Sequence, residues 1–207
     1  MKVLYSFLLF LVSTQFITGQ KVIRKTIINP ENQSIQLDAE NCYQVILETS
    51  KNRELIVKAE IEGEYQKDLV VKIEEDGSNV LVSTDFLPNF IAPNDKLSAH
   101  KVISIALKII IPEYCVVNVF GTNSKVQATG IYKNLKISLD TGNCVLNNVI
   151  ESAEVKTQRG TITIVTREGK VDAESIYGIV KLSEIPEGNS RYKLASVEGN
   201  IYVKKTE

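Results

Sequence analysis

An 18-residue repeat runs through the second half of the chain, and it constrains the fold more than any other feature. At that offset Val119, Ile137, Val155 and Ala173 fall in one column, with Val117, Leu135, Ala153 and Val171 two residues earlier. Val126, Cys144, Ile162 and Val180 form another, partnered by Ala128, Leu146, Ile164 and Leu182, and a turn column holds Ser124, Gly142, Gly160 and Gly178. A last copy, offset by 21, supplies Leu194, Gly199, Ile201 and Val203; its three extra residues match the turn Pro186-Glu187-Gly188. Each of the five copies therefore carries two short strands.

A two-strand copy of this length cannot bury its apolar side alone. Stacking copies in parallel, about 4.8 Å apart, solves that. Residues 101–207 are thus expected to form a right-handed parallel β-helix or β-roll of about five coils, roughly 20–25 Å long. The alternative is an antiparallel sandwich with coincidental spacing. The glycine column is expected to supply positive φ at the corners. Lys136 with Glu154, and Lys156 with Glu174, lie 18 apart and should stack side by side. Lys204 and Lys205 in the last strand should blunt an open sheet edge.

The first half also reads as strand. Period-two alternation marks 43–49, 54–62, 69–74 and 80–84, and Ile103, Ile105, Leu107, Ile109 and Ile111 are its clearest case. All five prolines fall between these runs, where no ladder hydrogen bond is lost. Residues 21–100 read as a β-meander, with a turn at Asp76-Gly77, packed on the coil and continuous with it. The whole chain is expected to be all-β.

Residues 1–20 read as a signal peptide. Lys2 precedes an apolar stretch from Val3 to Val12, too short for a transmembrane helix of roughly 20 residues. The expected cleavage follows Gly19, although Ile17 at the −3 position is not small. No later stretch reaches membrane-spanning length. The balance of 24 basic and 25 acidic residues gives a net charge of −1, which argues against a nucleic-acid ligand.

Candidate chemistry is sparse. Cys42, Cys115 and Cys144 are an odd number in an exported chain, at spacings unlike metal sites, so core thiols are expected, with at most one bridge. His100 is the chain's one imidazole, so multi-His zinc sites are excluded and any Ser-His-Asp or Cys-His arrangement must use it. Asp172 and Glu174 point outward from one strand with Glu154 expected beside Asp172, a spacing compatible with inverting glycoside hydrolysis. Neighbouring Lys136 and Lys156 favour a solvated charge ladder instead. No phosphate-binding glycine loop is present, and no cofactor is expected. The apolar loop Phe86-Leu-Pro-Asn-Phe90-Ile91-Ala-Pro93 is the candidate binding segment through Phe86, Phe90 and Ile91, with a lid over the coil end as its alternative role.

The run Leu107-Lys-Ile-Ile-Ile-Pro112, then Val117-Asn-Val-Phe-Gly121 and repeated Gly-x-apolar-x-apolar units, resembles the bacterial putative adhesin β-strand-repeat family of unknown function, and is similar to the auto-transporter adhesin head (GIN) domain. The likeness covers residues 100–207 well and the meander loosely. It implies export to the periplasm or surface of a Gram-negative bacterium and an adhesive, non-enzymatic role. It implies a glycan or an envelope protein as partner, and it brings no catalytic residues. A structural envelope scaffold is the second reading, and a polysaccharide lyase or hydrolase acting through Glu154, Asp172 or Glu174 the third.

Overall fold

Apolar residues at every second position give a strand one face to bury, and β-branched side chains suit the pleat. The computed structural model describes residues 20–31, 33–90 and 103–206. Within them the strands are β1 (Gln20–Ile27), β2 (Ser34–Asp38), β3 (Gln44–Ser50), β4 (Glu54–Gly63), β5 (Leu69–Asp76), β6 (Asn79–Phe86), β7 (Ile103–Pro112) and β8 (Val116–Gly121). They continue with β9 (Lys125–Leu139), β10 (Cys144–Thr157), β11 (Ile162–Thr166), β12 (Lys170–Ser175), β13 (Val180–Leu182), β14 (Arg191–Ser196) and β15 (Ile201–Lys205). Residues 1–19 of the expected signal peptide, and His100, lie outside the described residues. Where the expected runs can be checked they fall on strands: β7 buries Ile105, Leu107, Ile109 and Ile111 along one face.

All fifteen strands join one sheet that wraps a common core as a nearly closed barrel. It has two ladders. The first runs β1-β4-β7-β3-β9-β10-β11-β15-β13. The second runs β5-β6-β2-β8-β9-β10-β14-β12. The long strands β9 and β10 serve both, their first halves in one ladder and their second halves in the other. Pairing is parallel except for β1 with β4, β4 with β7 and β5 with β6. Residues 21–100 are therefore not a simple meander, because β2, β3 and β6 join the parallel stack. One core cluster fills the space between the ladders.

The 18-residue offset is the register of this stack. Val126, Cys144 and Ile162 are partners, as are Val117, Leu135 and Ala153. Five successive coils in chain order, however, are not what forms. The last copy slots between the third and the fourth: β14 pairs with β10 on one side and β12 on the other, and β15 lies between β11 and β13. Lys204 and Lys205 therefore sit on an interior strand, and the outermost strands at this end are β12 and β13.

Side-chain size explains this order. The inserted copy carries Tyr192, Leu194, Ile201 and Val203, all buried. The displaced copy offers only Val171, Ala173, Val180 and Leu182 at the same columns. Fully burying a large aliphatic or aromatic side chain is worth about 1.5–3 kcal/mol, so the bulkier copy gains more from neighbours on both sides. Charge acts the same way. Register runs Lys136, Glu154, Lys193, Asp172, alternating in sign at each step. Chain order would have set Glu154 against Asp172, a like-charge pair.

The glycine column also has a different cause from the one expected. Positive φ occurs at Gly63, Gly77, Gly130 and Gly169, not at Gly142, Gly160, Gly178 or Gly199. The column is needed because successive corners stack backbone on backbone. A Cβ on Gly160 would fall on the Gly142 carbonyl, one on Gly199 on the Gly160 carbonyl, and one on Gly178 on the Gly199 carbonyl. Hydroxyls three residues earlier close the corners at Gly160, Gly178 and Gly199. Thr157 Oγ1 donates to the Gly160 carbonyl at 2.8 Å, and the Ser196 and Ser175 hydroxyls accept from the Gly199 and Gly178 amides at 2.9 and 3.0 Å.

Candidate functional site

The outward side of the second ladder carries a column at the same period. Register aligns Asp38, Phe120, Ser138, Lys156, Ala195 and Glu174, one from each of six adjacent strands. Five steps of about 4.8 Å make this column roughly 24 Å long. Beside it the corner residues Glu40, Thr122, Asp140, Gln158, Val197 and Ile176 form a wall. Together they bound a groove of about 940 Å³ across the strands, at the large end of the range typical of ligand sites.

The wall is hydrogen-bonded from layer to layer. Thr141 N donates to Thr122 O at 2.8 Å, Arg159 N to Asp140 O at 2.8 Å, Glu198 N to Gln158 O at 2.8 Å and Tyr177 N to Val197 O at 2.8 Å. Beneath it Ser124 Oγ donates to the Ala39 and Cys42 carbonyls at 2.8 and 2.6 Å. The groove is thus preformed by the same ladders that hold the core, and a ligand entering it need not order a loop.

Its surface mixes charged side chains with a larger apolar share that includes Leu81, Phe120, Ile176 and Val197. Phe120 is 47% exposed and Ile176 61%. Asp38, Glu40, Asp140 and Glu174 bring four carboxylates to the lining, against the one ammonium of Lys156. Lys156 is itself engaged, its Nζ 2.8 Å from Glu154 Oε1. The hydrogen bond from Lys156, with the nearby charges of Lys136 and Lys193, holds the Glu154 carboxyl below its ordinary value. A carboxyl held ionised in this way is poorly suited to donate a proton.

The carboxylates expected to work together do not meet as the repeat implied. Lys193 lies in register between Glu154 and Asp172, and Ala195 between Lys156 and Glu174. Lys136 does pair with Glu154 as expected. No cluster of three His, Cys, Asp or Glu side chains able to hold a metal occurs among the described residues. Cys42, Cys115 and Cys144 are buried thiols. Burial pushes Cys42 up to about 12 and Cys115 up to about 11, and raises Cys144 as well.

The candidate binding loop is packed on itself. Phe86 and Phe90 stack with centroids 4.2 Å apart and planes at 11°, and Tyr65 meets Phe90 edge-on at 5.2 Å. Phe86 also packs against the core. Ile91 lies outside the described residues. The groove was legible by reading the outward column at the same offset as the inward ones: Phe120, Ser138, Lys156 and Glu174 are each 18 apart.

No family model matches the sequence. No curated protein matches it either. Among solved structures, a putative cell adhesion protein from Clostridium sporogenes ATCC 15579 aligns with a TM-score of 0.61 at 14% identity, over 90% of this chain and 100% of that one. This chain shares that fold. Structures of putative adhesins from Bacteroides fragilis NCTC 9343 and Parabacteroides distasonis ATCC 8503 are also similar, each at 11% identity and a TM-score of 0.29. They cover 92% and 89% of this chain and 99% and 97% of their own. Scores that low add nothing to the fold assignment. No helix among the described residues is long and apolar enough to cross a membrane.

Proposed function

We propose that the chain is an exported, adhesin-like binding module of the bacterial envelope, and that the groove over β2, β8, β9, β10, β14 and β12 holds an extended neutral glycan. The observation that carries this reading is the rigid outward column, about 24 Å long, with Phe120 as an aromatic platform among hydrogen-bonding side chains. A linear chain of hydroxyl-bearing units suits a straight, preformed slot with polar side chains on five of its six layers, β14 alone offering Ala195 and Val197. Four lining carboxylates repel phosphorylated or uronic polymers. The shared fold with a protein named for cell adhesion supports the same role. The apolar stretch before Gln20 supports export.

Binding without catalysis is part of the proposal. Glu154 is tied to Lys156, and Lys193 separates it from Asp172, so the carboxylates the repeat suggested for hydrolysis do not form an acid–base pair. The test is a glycan array probed with the folded chain, beside a heat-unfolded control. Saturable binding is expected to vanish on unfolding, to fall at least tenfold in Phe120→Ala, and to be blocked in Ser138→Trp, which fills the slot from its centre. Phe90→Ala should leave it unchanged. Silence on neutral glycans, or binding that Phe90→Ala abolishes and Ser138→Trp spares, would sink the groove reading. Release of shortened product would sink its non-catalytic part.

A further inference from the structure

The two ends of the stack differ. At one end β1 and β5 come together behind polar side chains, with Thr26 Oγ1 donating to Glu75 Oε1 at 3.1 Å and Arg24, Lys25, Lys72 and Glu74 around them. At the other end β12 pairs only with β14, and β13 only with β15, leaving a row of unpaired backbone groups on each. Here the core columns run out into solvent. Val171, Ala173 and Val180 are only partly buried, and Leu182 is 55% exposed. One layer deeper, Tyr192, Leu194, Ile201 and Val203 are at most 3% exposed. Ile176, Tyr177 and Ile179 add exposed apolar surface on the same coil.

We propose that this end docks a second copy of the chain, β12 against β12 in antiparallel pairing, to form a closed twofold dimer. The strand is complementary to its own reverse. With Asp172 on the axis, Lys170 of each copy faces Glu174 of the other, and Val171 faces Ala173, so the core columns continue across the junction. Lys193, in register with Asp172 on β14, supplies countercharge for the two axial carboxylates. The axis that reverses β12 on itself also lays β13 against its copy, so both ladders are extended together. A head-to-tail stack is disfavoured, because it would press the apolar end against the charged β1/β5 end. An isologous contact closes at two copies.

Sedimentation equilibrium of the purified chain tests this. A monomer–dimer equilibrium is expected, complete by about a millimolar because an end-on contact is small. Glu174→Lys should weaken it roughly tenfold by setting two pairs of like charges face to face. Lys170→Glu with Glu174→Lys should restore it. Val171→Lys should abolish it, and amide exchange over 170–175 in the unaltered chain should slow as concentration rises, a readout that needs no variant to fold. A monomer at every concentration, a dimer indifferent to these substitutions, or open-ended polymers would each overturn the proposal.

Discussion

Gly160→Ala isolates what the glycine column does. The Cβ it adds lands on the carbonyl oxygen of Gly142 in the neighbouring corner, and the obstructing atom is backbone. No rotamer change relieves such a clash. The two corners must part, and the ladder bonds beside them stretch: Cys144 N to Thr161 O at 2.9 Å, and Gln158 N to Leu139 O at 3.1 Å. Overpacking costs typically 1–3 kcal/mol, and a weakened hydrogen bond adds about 1 kcal/mol. The expected loss is about 3 kcal/mol or more, at the severe end for single substitutions. Gly77→Ala is the internal control. Gly77 has φ +58 and no atom within 4 Å of an added Cβ, so only the left-handed backbone is strained. That costs about 1–2 kcal/mol. Urea unfolding of both variants, with slopes compared to confirm a common unfolded state, measures the difference directly. Equal losses would refute close stacking as the reason for the column and return it to a requirement of backbone dihedral.

Two further outcomes follow from the packing. Lys193→Glu places three carboxylates in succession on β10, β14 and β12, and should destabilise by about 1 kcal/mol in low salt, with most of the loss recovered as ionic strength rises; a salt-independent effect would show that the alternating charges do not matter. At pH 8 a thiol reagent should leave the folded chain untouched and titrate three groups after unfolding, because Cys42 and Cys115 are raised to about 12 and about 11 by burial; a fast-reacting thiol in the folded chain would contradict that packing.

Much of this architecture could be read from side-chain period alone. Alternation located the strands, and the 18-residue offset located the register, because parallel stacking turns a sequence offset into a spatial neighbour. Glycine identity was visible, but its cause was not. A corner needing positive φ and a corner crowded by the next one both select glycine, and only the third dimension separates them. The parallel pairing of β2, β3 and β6 was hidden for another reason. β3 alternates just as the antiparallel β4 does, and alternation carries no sign of strand direction. The groove is not evident from the outward charges Lys156 and Glu174 alone, because its signature is the whole outward column, with Phe120 and Ser138 at the same offset.

The exchange of the last two copies marks the boundary of what a repeat can say. Both orders keep every apolar column intact, so periodicity is silent between them. Two local facts decide. Tyr192 and Leu194 gain from neighbours on both sides more than Val171 and Ala173 do, and Lys193 turns a like-charge contact between Glu154 and Asp172 into two attractive ones. Each was present in the sequence as a conflict in the simple stack, where Glu154 and Asp172 had to lie side by side. The same exchange brings Ala195, a small residue, into the outward column between Lys156 and Glu174, which keeps the groove open along its length. It also leaves the copy with the weaker apolar set at the end of the stack. Groove and open end therefore have one origin: the copy that could best bury itself was taken inside.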